Sequence, residues 1–172
     1  MITLSVIEKE PEIVRLLETL CRKKEIRLSR TMRPNSDFVL LSPNSSMSCD
    51  ILLQNIPLSH FKRKADYISI INSDEKIAPD RKSRELVITY GLNALSTLTA
   101  SSLRHTPEYF DFHCCLQRTI VTLKGKVIEP QEFPVRIGMP ISGIHTAMGL
   151  TALALVLSFE PEELSNISPS KK

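Results

Sequence analysis

A lysine in the first turn after a strand can hold a nucleotide phosphate, and Lys9 stands at such a place. A phosphate seat of that kind also needs glycines, so that backbone N–H groups can approach the anion. It usually carries Ser or Thr after the lysine as well. Here no glycine precedes Gly91, and Glu8, Glu10 and Glu12 surround Lys9. Carboxylates at the start of the following helix occupy its positive end, where a phosphate would be repelled. The turn therefore reads as a helix start capped by its own acids.

Other side chains with chemical potential are scattered. Cys21, Cys49, Cys114 and Cys115 show no metal-ligand spacing. His60 could be a metal ligand, but one histidine without an acidic partner makes a weak site for Mg²⁺, which takes oxygen ligands. The plainer reading is a surface or hydrogen-bonded histidine. Asn72 and Asp74 can end a strand in an Asx-turn or keep a nucleotide contact. His145 reads as capping or packing the start of the last helix. Asp50 has no second carboxylate paired with it. Ser142-Gly143 begins a helix and lacks the Gly-x-Ser-x-Gly pattern of a nucleophile elbow. Arg22-Lys23-Lys24 and Lys62-Arg63-Lys64 read as solvated helix-end and loop charges.

The elements that must position these residues follow from periodicity. Residues 2–7 alternate as a strand. Ile13, Leu16, Leu17, Leu20 and Cys21 then make one apolar helical stripe behind Pro11. Residues 26–29 read as a second strand, completing a β-α-β unit of the kind found in parallel sheets. Short apolar strands follow at 38–41, 49–56, 65–71 and 84–90, too close together for a helix in every crossover. Beyond Gly91, segments 98–103, 109–117, 119–128 and 133–137 alternate. Phe110, Phe112 and Cys114 share one face, and Asp111, His113 and Cys115 the other. Lys124-Gly125-Lys126 suits a hairpin turn. These strands predict a small antiparallel sheet inserted late in the domain. Residues 144–159 predict a buried helix, apolar all round, and 160–164 a short exposed one with Pro161 near its start. One domain over 1–166 is expected, with an antiparallel excursion at about 98–137 and a disordered tail at 167–172.

Composition narrows the function classes. A chain of 172 residues with 42% hydrophobic and 24% charged residues can build one globular core. A net charge of +3, 5% aromatics and no tryptophan argue against nucleic acid as a partner. The apolar stretch 139–159 contains His145, Gly143 and Gly149 and reads as a core helix, so no membrane partner is expected. Without a signal peptide, the four cysteines read as reduced thiols of a cytoplasmic protein.

Four segments also occur in a telling order: Gln54-Asn55-Ile56-Pro57-Leu58-Ser59-His60, Ile70-Ile71-Asn72-Ser73-Asp74-Glu75, Val87-Ile88-Thr89-Tyr90-Gly91, and the alanine-rich run from Gly143-Ile144-His145 to Ala154. Together they resemble the central, ATP-binding domain of the Mur ligase family. Those enzymes join an amino acid to a nucleotide-linked carboxylate through an acyl phosphate. The resemblance runs from Met1 to about Asn166. It implies a mostly parallel, Rossmann-like α/β sheet in reduced form. It marks Asn55, Asn72, Asp74 and His145 as relic nucleotide-binding positions and His60 as a relic metal position. It assigns no catalytic residue.

The departures from the family pattern all point one way. The phosphate loop lacks its glycines and its Lys-Thr pair. Leu41 or Ser42 stands where the family has a metal-binding glutamate, and Ser59 replaces an aspartate. Thr146 and Gly149 stand where the last helix should carry asparagines. The stretch bearing the family's modified lysine is cut to Phe61-Lys62-Arg63-Lys64, and the flanking UDP-binding and amino-acid-binding domains are expected to be absent. The expectation is thus a catalytically inactive Mur ligase-like protein, peptidoglycan-related, without a cofactor, acting by binding a protein partner or itself. The alternative is a subunit of an ATP-dependent amide-forming ligase completed by other chains. A third reading places a small-ligand pocket near Asn55, Asn72 and Tyr90, where open α/β sheets bind ligands.

Overall fold

The computed structural model describes residues 1–9, 11–43, 47–56, 65–75, 85–138 and 140–167. Strand β1 (Ile2–Ile7) is buried from Leu4 onward because it lies inside the sheet. Helix α1 (Glu12–Lys23) follows Pro11, which has no N–H to leave unpaired at a helix start. Its predicted stripe is its buried face, with Ile13, Leu16, Leu17 and Leu20 all turned to the core. The Lys24 N–H closes the helix on Leu20 and Cys21 carbonyls, and Glu25 turns the chain at φ 57°. Strands β2 (Leu28–Ser29), β3 (Phe38–Leu40), β4 (Cys49–Gln54), β5 (Ala65–Asn72) and β6 (Leu86–Tyr90) follow, each parallel to its neighbours.

Five more strands follow among the described residues: β7 (Leu98–His105), β8 (Tyr109–Leu116), β9 (Ile120–Val121), β10 (Val127–Ile128) and β11 (Gln131–Gly138). Among the described residues the main sheet has nine strands in the order β11-β8-β7-β6-β5-β4-β1-β3-β2. The antiparallel strands therefore do not all form a separate insertion. Strands β7, β8 and β11 extend the main sheet, and the small separate sheet is the β9–β10 hairpin alone. Alternation is the same in both arrangements, so the sequence could not tell them apart. The parallel β6–β7 step needs no long crossover, because β7 begins level with Tyr90, where β6 ends. In the hairpin, Thr122 donates its N–H to the Lys126 carbonyl (2.9 Å), and Gly125 supplies the required positive φ of 76°.

Helix α2 (Ile144–Val156) is buried from Thr146 to Val156, as expected for a helix apolar all round. It shares one core with α1 and with Leu4, Leu53, Ile70, Ile88 and Phe112 of the sheet. Ile7, Val39 and Leu52 belong to a second, smaller cluster. The predicted exposed helix after α2 is a 3-10 segment, Pro161–Leu164, whose Pro161 and Leu164 are buried. Ile167 does not belong to a tail. It is fully buried, donates its N–H to the Arg136 carbonyl and accepts from the Gly138 N–H, both at 2.7 Å. Residues 168–172 lie outside the described residues.

Candidate functional site at the carboxyl ends of the parallel strands

Strands β4, β5 and β6 deliver Asn55, Asn72 and Tyr90 to one end of the sheet, and α2 begins there with His145. The Asn72 side-chain amide donates to the Asn55 carbonyl (3.3 Å), and the Tyr90 hydroxyl donates to Asn55 Oδ1 (2.8 Å). Asn72 Oδ1 accepts the Asp74 N–H (3.1 Å), the Asx-turn expected there. His145 Nε2 lies 2.8 Å from Asp74 Oδ2. Four of the five predicted site residues, Asn55, Asn72, Asp74 and His145, thus form one hydrogen-bonded chain. The fifth, His60, lies outside the described residues.

Further members were not singled out from the sequence. Asp74 also accepts the Leu92 N–H (2.6 Å) and the Asn93 side-chain amide (3.0 Å). Ser73 Oγ donates to the Tyr90 carbonyl (3.0 Å) and lies 2.6 Å from Ser96 Oγ. Burial alone would raise the Asp74 pKa, but the Leu92, Asn93 and His145 hydrogen bonds outweigh it and hold the carboxyl below its usual range. Tyr90 is fully buried. Burial first, then the Glu8 and Glu75 charges, push its phenol well up, so it remains a hydrogen-bond donor. Its ring passes under Gly149, where an added Cβ would come within 3.0 Å of the Tyr90 hydroxyl and 3.3 Å of Ile13 Cδ1. The absent side chain lets both α1 and Tyr90 approach α2.

The β1–α1 turn adjoins this cluster. The Glu8 carboxylate reaches forward to accept the N–H groups of Ile13 (2.8 Å) and Val14 (3.2 Å), two donors left over at the start of α1. Burial raises the Glu8 pKa, and those backbone bonds only partly offset it. Glu12 instead accepts the Ser142 N–H (2.7 Å) and ties α1 to the approach to α2. Lys9 is exposed. Beside the turn runs a cleft of about 330 Å³ whose lining includes Glu8, Lys9, Arg30, Leu41 and Ser42. Among the described residues no group of three or more His, Cys, Asp or Glu could hold a metal ion. Nor is any described helix long and apolar enough to cross a membrane.

No protein-family model and no curated protein matches the chain. Solved structures do. The chain aligns over 98% of its length with UDP-N-acetylmuramoylalanyl-D-glutamyl-2,6-diaminopimelate--D-alanyl-D-alanyl ligase from Acinetobacter baumannii, at a TM-score of 0.67 and 10% identity. The fold is that of part of a Mur ligase. UDP-N-acetylmuramate-alanine ligase from Thermotoga maritima aligns over 96% of this chain and 44% of its own, with a TM-score of 0.64 and 8% identity. The Neisseria meningitides ligase for UDP-N-acetylmuramate and L-alanyl-gamma-D-glutamyl-meso-diaminopimelate aligns over 99% of this chain and 67% of its own (TM-score 0.59, 10% identity). This Mur ligase-like chain spans 46% of the Acinetobacter enzyme, about half its length. The mostly parallel mixed sheet with a small antiparallel one agrees with the central-domain architecture that the sequence resemblance implied.

Proposed function

We propose that this Mur ligase-like domain does not catalyse ATP-dependent ligation and acts as a binding, scaffold or regulatory protein linked to cell-wall metabolism. One observation carries the reading: the Glu8 carboxylate occupies the N–H groups at the start of α1. Phosphoryl transfer rests on positioning the phosphates and neutralising their charge. The β1–α1 turn does not fit a nucleotide phosphate, because a side-chain acid already fills the anion's place and adds charge of the wrong sign. Leu41 and Ser42 beside it supply no carboxylate for a metal ion. Against the small-ligand reading at Asn55, Asn72 and Tyr90 stands that Asn72 and Tyr90 direct their donors to Asn55 and that Tyr90 is fully buried. The partner, in this reading, is another protein or a second copy of the chain, in the cytoplasm.

The second reading, a ligase subunit completed by other chains, draws support from the intact Asn55–Asn72–Asp74–His145 chain at the strand ends. Both readings meet in one experiment. Calorimetric titration of the purified protein with ATP and Mg²⁺ should show no micromolar binding. Micromolar binding would overturn the inactive reading and favour the subunit.

A further inference from the structure

The outer face of the antiparallel end of the sheet carries an arginine pair that the ligase-like fold does not explain. Asp111 on β8 stands opposite Arg104 on β7 and Arg136 on β11. Arg136 grips its carboxylate with two bonds, Nε to Oδ1 at 2.7 Å and Nη2 to Oδ2 at 3.0 Å. Arg104 Nη2 takes the same Oδ2 at 2.6 Å. Both guanidinium groups lie over the Tyr109 ring, at 4.4 Å and 5.6 Å from its centre. Among the described residues no second carboxylate pairs with either arginine, so the three side chains together carry one net positive charge. Their side chains are 62% and 44% exposed, against 15% for Asp111.

The backbone is shaped for this placement. The β7–β8 register shifts between Ser101 and Arg104, and Ser102 sits at a φ of 54°, uncommon for a residue with a side chain. Bulges of this kind re-aim side chains. A cleft of about 540 Å³ opens over the pair, with Ser102, His113 and Ser165 also in its lining. That volume lies in the range of small-molecule sites. Asp111 accepts from Nε and Nη2 of Arg136 and from Nη2 of Arg104, which fixes both guanidinium groups over Tyr109; a guanidinium has five N–H groups, and those beyond these bonds suit a phosphate oxyanion.

We propose that Arg104 and Arg136 form a binding site for the phosphate group of a small organic phosphate, separate from the strand-end cluster. A planar carboxylate would only duplicate Asp111, whereas the tetrahedral oxygens of a phosphate can reach both guanidinium groups, and the net positive charge of the cluster attracts the anion. The test is NMR of the full chain, following the arginine Nε–Hε resonances during titration with inorganic phosphate in 150 mM NaCl, with acetate as a parallel probe. Saturable shifts of the Arg104 and Arg136 signals with phosphate, and none with acetate, are expected. Arg104→Gln should weaken phosphate binding at least about tenfold, and Arg104→Lys should restore only part of it. Asp111→Asn removes the internal competitor and should not abolish binding. No saturable shift up to 20 mM phosphate, or equal response to acetate, would overturn the proposal. Repeating the ATP titration on Arg104→Gln separates nucleotide held here from nucleotide held at the β1–α1 turn.

Discussion

Replacing Glu8 with alanine removes the acceptor of two N–H groups that have little access to water, since Ile13 is 0% and Val14 8% exposed. Loss of a helix-start acceptor costs about 1–2 kcal/mol. For a chain of this length that lowers the melting midpoint by about 2–8 °C. The pH dependence sharpens the test. Burial raises the folded-state pKa of Glu8 above 4.5, so the folded chain holds this proton more tightly than the unfolded one. The stability it contributes is full below 4.5 and is lost as pH rises through the raised pKa. Thermal unfolding of Glu8→Ala and the parent chain should therefore differ most near pH 4, and the gap should narrow toward pH 8. An unchanged midpoint at pH 4 would refute the capping role. A gap that widens with pH would show that the charged form is the stabilising one.

Other substitutions probe the same framework. Gly149→Ala would gain about 1 kcal/mol in helix propensity but press a methyl against Tyr90. Overpacking of about 1–3 kcal/mol should win, so denaturant titration should show a less stable variant. Asp74→Asn should be less stable than the parent at pH 7. Because the Asp74 pKa is held below 3.8, that deficit should fade as pH falls from 3.8 through the lowered value, measured by melting in acid. Iodoacetamide labelling at pH 8, read by mass spectrometry, should modify Cys115 first. Cys21, with its thiol pushed up to about 12 by burial, and the buried Cys49 and Cys114 should stay protected until unfolding.

Much of this was legible in the residues. The α1 stripe, the short central strands and the all-apolar α2 follow from local period, and the structure places each within a few residues of its expected bounds. The grouping of Asn55, Asn72, Asp74 and His145 came from motif order, not from any local property. Their hydrogen bonds link residues up to 71 apart. What stayed hidden is nonlocal. The acid-capped start of α1 was legible, but that Glu12 leaves the cap to Glu8 and reaches Ser142 depends on how two helices pack. That β7, β8 and β11 join the main sheet depends on pairing across its edge. The Arg104–Asp111–Arg136 cluster requires two strand registers and a bulge, none of which alternation specifies.

The most direct measurement follows the backbone amide resonances of Ile13 and Val14 while Mg²⁺ and ATP are added to the full chain. With Glu8 holding both N–H groups, neither resonance should move. A saturable shift of both would mean that a phosphate takes the carboxylate's place, and that this domain is a nucleotide-binding ligase after all.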